Sequence, residues 1–273
     1  MKQVPRQSSG PAQKFVVVNS DDFGLSAEVN HATIRAFAEG LISRTSILAN
    51  LPGFQEACEL AHRHQLYGRV GLHLNMTQGR PLTTLPAILP SLCDGSGNFL
   101  PPRRRLWLTR REAAALELEF EAQLQACLRN GLKPSHLNSH HDMHVELAIT
   151  PIVIRIARRH GVPAVRIASR KPSIARLFQF QRSTCNRRLR AAGLAKTQYF
   201  GDCDEIKPVL GNSGSVYEVI VHARLNESGE LVDLGGANLR QRLGGLQTPC
   251  LPISCAEAPM THYCMRMPLG IGQ

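Results

Sequence analysis

Phe15-Val16-Val17-Val18-Asn19-Ser20-Asp21-Asp22-Phe23-Gly24 is the stretch on which the fold is decided. Four successive apolar residues, three of them β-branched, read as a short buried strand that ends in a polar turn carrying two adjacent carboxylates. From Ser26, a fitting N-cap, Val29, Ala32, Thr33, Ala36 and Phe37 recur at three and four until Gly40 closes the run. A strand, a polar turn at its C-terminal end and a helix form the repeating unit of a parallel α/β fold.

The same alternation continues outward. Residues 46–50 suggest a second strand, 54–66 a helix and 69–74 a third strand. A Pro- and Gly-rich stretch over 79–105 reads as a long surface excursion. The clearest helix covers 109–130. Thr109 and Glu112 have capping-box spacing, Leu116, Phe120, Leu124, Cys127 and Leu128 form its apolar stripe, and Gly131 and Pro134 stop it. Strands are expected at 135–139, 164–167 and 216–222 and a helix at 151–160. The basic stretch 170–200 and the residues beyond 223 carry no clear periodicity. Residues 1–13 read as a flexible leader, 14–222 as the body of the fold, and 223–273 as a divergent C-terminal region that could complete it.

Composition narrows the class. A chain of 273 residues, 43% hydrophobic and 19% charged, is long and apolar enough to bury a core without cross-links. No apolar run reaches the ~18 residues of a membrane span. The first ten residues lack the apolar segment of a secretory signal, so the expected compartment is the cytoplasm. The eight cysteines contain no CxxC pair and read as buried thiols. Thirty-two basic against 21 acidic residues give a net charge of +11, concentrated at Arg103–Arg105, Arg110–Arg111 and between Arg166 and Lys196. Such an excess raises binding to nucleic acid or another anionic polymer as a reading. No RNP1 pattern, zinc finger or KH-type GxxG loop accompanies it, and nucleic acid is not the expected partner.

Three polar clusters fall at the ends of expected strands, where parallel α/β folds bind ligands. Taken singly, each has an ordinary explanation. Asp21-Asp22 suits a solvated turn, with Asp22 capping the next helix. His73, in an apolar strand, suits a core histidine. His140-His141-Asp142-Met143-His144, with His136 upstream, suits a polar loop. Together they match the donor set of a divalent ion such as Zn²⁺, with imidazole and carboxylate ligands. There is no HExxH, so a zincin helix is excluded. His144 stands four beyond His140 and would share its face on a helix, as a supporting or substitute ligand.

These blocks resemble a known family. Asn19-Ser20-Asp21-Asp22-Phe23-Gly24-Leu25-Ser26 is similar to the N-A-D-D-F-G-L-S opening of the YdjC-like (ChbG/HpnK) carbohydrate deacetylase family. Val70-Gly71-Leu72-His73-Leu74 with Thr77-Gln78-Gly79-Arg80-Pro81-Leu82 resembles its G-x-H block and G-x-P-L extension. His136 to His144 resembles its H-x-D-S-H-x-H-x-H block, with Asn138 in place of the Asp. Glu218-Val219-Ile220-Val221-His222 resembles its late E-x-M-x-H-P block, except that Ala223-Arg224 follows the histidine where Pro is usual.

The resemblance implies a distorted (β/α) barrel of the polysaccharide-deacetylase type and a hydrolase that removes an N-acetyl group from an amino sugar or oligosaccharide with a metal-activated water. Carried over position by position, Asp22, His73 and His140 would hold one divalent metal ion (Mg²⁺, Zn²⁺ or similar). Asp21 would be the general base and His222 the general acid. Arg166, Asn138 and His144 would orient them, and a neutral Asn138 would hold its histidine less firmly than a carboxylate. An N-acetylated sugar is the implied substrate, and homo-oligomer formation is compatible with it. Two further readings stand beside this one: the same fold as a non-catalytic sugar-binding protein, and the basic polymer binder.

Overall fold

The computed structural model describes residues 15–84, 91–103, 106–169, 176–211 and 214–246. Six parallel strands form one sheet in the order β4-β3-β2-β1-β6-β5. They are β1 (Phe15–Phe23), β2 (Arg44–Ile47), β3 (Val70–Leu74), β4 (Leu137–Ser139), β5 (Tyr199–Gly201) and β6 (Val216–Val221). The helices are α1 (Ala27–Ala38), α2 (Phe54–Arg63), α3 (Arg110–Arg129), α4 (Thr150–Arg159), α5 (Arg176–Ala191), the single turn α6 (Cys203–Ile206) and α7 (Leu239–Leu243). Strands alternate with crossover helices, as the sequence pattern predicts.

The sheet is strongly curled. Beyond β4 the chain over 164–166 adds a bridge, with Leu137 donating to Ala164 and Arg166 donating back to Leu137, both at 2.9 Å. Four strand spacings separate that segment from β1, about 19 Å in a flat sheet. Arg166 nonetheless bonds Asp21 on β1 and Glu218 on β6. Only a sheet rolled into a half-barrel brings these groups together. The apolar cluster of Val17, Ala164 and Val216 closes the floor of the same curve.

The two faces differ in chemistry. Leu72, Leu74, Ile47, Leu137, Tyr217 and Val219 pack against Ala32 and Ala36 of α1, Leu60 of α2, Leu116 and Phe120 of α3 and Ile152 and Ile156 of α4 in the main core. The alternate positions line the inside of the roll. Registered pairs there are Asn19 with Arg44, Ser46 with Gly71, His73 with Asn138 and Val17 with Glu218. The apolar core therefore lies between sheet and helices, and a buried polar layer lies within the roll.

Local signals account for most elements. Ser26 caps α1, accepting from Val29 N–H at 3.3 Å, and Thr109 with Glu112 forms the expected capping box on α3. Four differences are instructive. Leu128 of the predicted stripe is exposed, while Glu119 and Gln123 occupy the buried face of α3. The expected strand at 164–167 is reduced to a bridge at Val165. The unassigned basic stretch contains α5, whose buried residues are Gln181, Cys185, Asn186 and Leu189. The residues after 223 form the antiparallel ribbon β7 (Arg224–Leu225) and β8 (Leu231–Val232), followed by α7. That ribbon stands apart from the main sheet and packs on α1. Cys58, Cys93, Cys127, Cys185 and Cys203 are free buried thiols; Cys250, Cys255 and Cys264 lie outside the described residues, as do the leader 1–13 and Arg104–Arg105. No helix among the described residues is long and apolar enough to cross a membrane.

Candidate metal centre

The two carboxylates of β1 both enter the roll because the strand is irregular there. Successive side chains on a regular strand point to opposite faces. Between Ser20 and Phe23 the register against β2 slips, so three steps on β1 match two on β2, and Asp22 adopts φ +71°. This bulge turns Asp22 to the side that Asp21 already faces. Gly24 follows with φ +89°, and a Cβ there would sit 2.8 Å from the Leu48 carbonyl oxygen. The family-like Asp-Asp-Phe-Gly order is thus a bulge followed by a close approach that needs glycine.

Asp22, His73 and His140 offer ligand atoms that all lie within 4.8 Å of one another. Asp22 Oδ1 is 3.5 Å from His73 Nε2 and 3.2 Å from His140 Nδ1. Its other oxygen accepts from the Arg224 guanidinium at 2.9 Å. Oδ1 itself is buried without a hydrogen-bond partner.

Hydrogen bonding settles which ring nitrogens face that oxygen. The Asn138 amide nitrogen lies 3.1 Å from Asp21 Oδ1, a pure acceptor, so the Asn138 carbonyl must be the end that faces His73 Nδ1, at 2.8 Å. His73 therefore carries its proton on Nδ1 and turns the Nε2 lone pair toward Asp22. His140 Nε2 is spent on Gln78 Oε1 at 2.9 Å, which likewise leaves the Nδ1 lone pair facing Asp22. Burial lowers the His73 pKa despite the opposing pull of Asp21 and Asp22, which favours the neutral ring. Two imidazole lone pairs and an orphaned carboxylate oxygen converging on one point are mutually repulsive without a cation. The residues present fit a divalent ion.

Asp21 is the most heavily bonded carboxylate in the site. Its Oδ1 accepts from Asn19 at 2.7 Å, Arg166 at 2.8 Å, Ser46 at 3.0 Å and Asn138 at 3.1 Å. Its Oδ2 accepts from Arg166 at 2.6 Å and lies 3.9 Å from His73 Nε2. Burial opposes the charge, but the charge and hydrogen bonds of the Arg166 guanidinium outweigh it and hold the carboxyl well below the usual range. Arg166 also donates to Glu218 at 2.7 Å and lies over the Phe200 ring, 4.7 Å from its centroid. Burial raises the Glu218 pKa although Arg166 opposes this.

His222 and His144 stand differently from the ligand cluster. His222 is partly exposed at the end of β6, close enough for its charge to act on both Asp21 and Asp22. Its backbone N–H donates to Asp233 Oδ1 at 2.8 Å, and its Nδ1 lies 3.9 Å from the same oxygen. His144 does not share a face with His140. His141 and Asp142 both adopt φ +56°, which breaks the helical spacing on which that expectation rested. The His144 ring is buried, with Nε2 donating to the Arg166 carbonyl at 3.1 Å and Nδ1 accepting from Ser139 at 2.8 Å. Burial, reinforced by the Arg166 charge, pushes its pKa down to about 3. A substitute-ligand role is excluded in this conformation, whereas an orienting contact to Arg166 is present.

Several partners escape sequence reading. Glu218 belongs to a quoted block but shows no role until Arg166 is seen beside it. Gln78 and Thr77, which contact His140 and His141, are held by a loop whose Asn75 backbone is gripped by Gln123 and whose Leu82 and Thr83 amides bond Glu119. The amphipathic anomaly of α3 was the available signal. Arg224 and Asp233 come from the divergent segment, and nothing local to them marks a site.

A curled parallel sheet with a His-Asp cluster at the C-terminal ends of β1, β3 and β4 defines an α/β half-barrel with a candidate metal centre. The YdjC-like protein family model matches residues 15–230, and the chain belongs to that family. It is 36% identical over 159 residues to a carbohydrate deacetylase of Geobacillus stearothermophilus, covering 58% of this chain and 62% of the relative. It is 38% identical over 148 residues to one of Brevibacillus brevis, covering 54% and 57%. The matches thus span about six tenths of these relatives' length. A crystal structure of an Enterococcus faecalis protein to which cellobiose-phosphate cleavage has been attributed superposes with a TM-score of 0.63 over 86% of each chain, at 22% identity, and supports the fold.

Proposed function

We propose that the chain is a metal-dependent hydrolase that removes an N-acetyl group from an amino sugar or oligosaccharide. The observation that carries this reading is the orphaned Asp22 Oδ1 facing two imidazole lone pairs beside an ionised Asp21. The names of the relatives support the deacetylase class.

Asp22, His73 and His140 would hold the ion, which when bound would polarise the acetyl carbonyl and acidify water. Amide hydrolysis then needs a group to take the proton of the attacking water and another to protonate the departing nitrogen. Asp21 suits the first task. Its Oδ1 is saturated with donors, but among the described residues Oδ2 accepts only from Arg166 and lies 3.9 Å from His73 Nε2, so Oδ2 is the oxygen left to receive a proton. A strongly ionised carboxylate is a weak base, so Asp21 would serve on a water already acidified, which is what an ion held by Asp22, His73 and His140 would supply. Arg166, anchored by Glu218 and by His144 at its own carbonyl, keeps Asp21 aimed. His222 would give a proton to the leaving nitrogen, its partial exposure allowing it to be reprotonated from solvent. A cavity of about 210 Å³ lies beside His141 and Asp142, lined also by Arg103, Arg182 and Glu146, and none of the proposed ligands lines it.

Elemental analysis of purified wild type beside His140→Ala tests the centre. Expected is one equivalent of divalent metal in the wild type and its loss in the variant. No metal in either after loading with Zn²⁺ or Mg²⁺ would sink the metal-dependent reading and leave a sugar-binding role.

A further inference from the structure

Asn138 joins the two halves of the candidate site. Its carbonyl accepts from His73 Nδ1 at 2.8 Å, while its amide nitrogen donates to Asp21 Oδ1 at 3.1 Å and to Ser46 Oγ at 3.0 Å. All four side chains are buried, so no water competes for these bonds. β4 carries Asn138 directly opposite His73 on β3, and the roll of the sheet brings Asp21 and Ser46 to its other end. An amide can accept from a ring N–H at one end and donate to a carboxylate at the other while itself staying neutral.

We propose that Asn138 is a two-sided positioning residue whose ends serve separable tasks: the carbonyl fixes the His73 tautomer that presents Nε2 to the metal, and the amine aims Asp21. This rests on the metal-dependent reading above, and deepens it. Ser46, 3.3 Å from His73 Nδ1, is the alternative acceptor for that proton, but its hydroxyl proton is committed to Asp21 Oδ1 and its oxygen already accepts from Asn19 and Asn138. Asn138 is thus the principal partner of the ring.

Two substitutions separate the tasks. Asn138→Asp keeps an acceptor for His73 but replaces the donor to Asp21 by a second carboxylate. Asn138→Ala removes both ends. With Zn²⁺ competed against a chromophoric chelator, Asn138→Ala should bind about 10–100-fold more weakly than wild type, and Asn138→Asp as tightly or more tightly. Turnover of the Zn²⁺-loaded protein should fall at least tenfold in Asn138→Asp although its metal is intact. Nitrogen-15 spectra of the histidine rings in the metal-free protein give a readout independent of activity: His73 should carry its proton on Nδ1 in wild type and Asn138→Asp and lose that preference in Asn138→Ala. Wild-type metal affinity in Asn138→Ala, or full turnover in metal-loaded Asn138→Asp, would overturn the role. A wild type that binds no Zn²⁺ would overturn the metal reading and this role together, and Zn²⁺ binding unchanged across the three proteins would overturn this role alone.

Discussion

Arg166 closes on both oxygens of Asp21, at 2.6 and 2.8 Å, from a segment that stands four strand spacings away along the sheet. The pair is wholly buried and shares its guanidinium with Glu218 at 2.7 Å. Removing the cation would leave two carboxylates without their counter-charge inside the roll. Arg166→Met should therefore cost about 3–5 kcal/mol of folding stability, read by urea denaturation. A loss under 1 kcal/mol would mean that the roll does not depend on this ion cluster.

Asp21→Asn keeps the size of the side chain and removes the charge without touching Asp22, His73 or His140. Expected is a loss of turnover of about 10²–10⁴-fold with metal content unchanged. Measuring both on the same preparation separates a base from a ligand. A variant that is fully active, or one that has lost its metal, would reassign Asp21.

Gly71 lies against the ring of His136, where a Cβ would come within 2.3 Å of Cε1 and 2.5 Å of both ring nitrogens. The ring is buried, so Gly71→Ala should cost about 1–3 kcal/mol. The midpoint of a denaturant titration reports this directly, and an unchanged midpoint would show that the ring moves aside freely.

Acid should weaken the fold before the aspartates titrate. His144 is held at about 3 against an ordinary 6.5, and His136 is also well below 6.5; burial is the main cause in both. The unfolded chain takes up these protons first, so the stabilising contribution is complete above about pH 6.5 and is lost as pH falls toward the folded values, by up to ~1.4 kcal/mol per unit for each group. Glu218, raised above 4.5 by burial, acts in the opposite sense, but one carboxyl opposes two histidines. In the presence of chelator, the melting temperature should be lower at pH 5 than at pH 7. An equal or higher value at pH 5 would contradict the neutral, buried state of these rings.

What the sequence made legible follows the range of the interactions. Asp21, Asp22, His73 and His140 stand in short ordered blocks, and strand ends in a parallel sheet converge, so their meeting could be foreseen. The bulge that aims both aspartates could not, because it depends on register against β2. α5 leaves no mark in the sequence because its buried face consists largely of Gln181, Cys185 and Asn186, which give little apolar periodicity. His144 does not share a face with His140 because the left-handed backbone at His141 and Asp142 breaks the helical spacing that sharing needs, and no residue type there announces the break. Arg224 and Asp233 act across long separations, on Asp22 and on the His222 backbone, and carry no local mark.

Acetate release from a panel of N-acetylated amino sugars and oligosaccharides is the most direct measurement, made with the same protein as purified, after chelation, and after Zn²⁺ or Mg²⁺ is restored, with His140→Ala alongside. A metal-dependent N-deacetylase releases acetate, stops on chelation, recovers with metal and is silent in the variant. Release that survives chelation and the loss of His140, or none from metal-loaded wild type across the panel, would contradict that function.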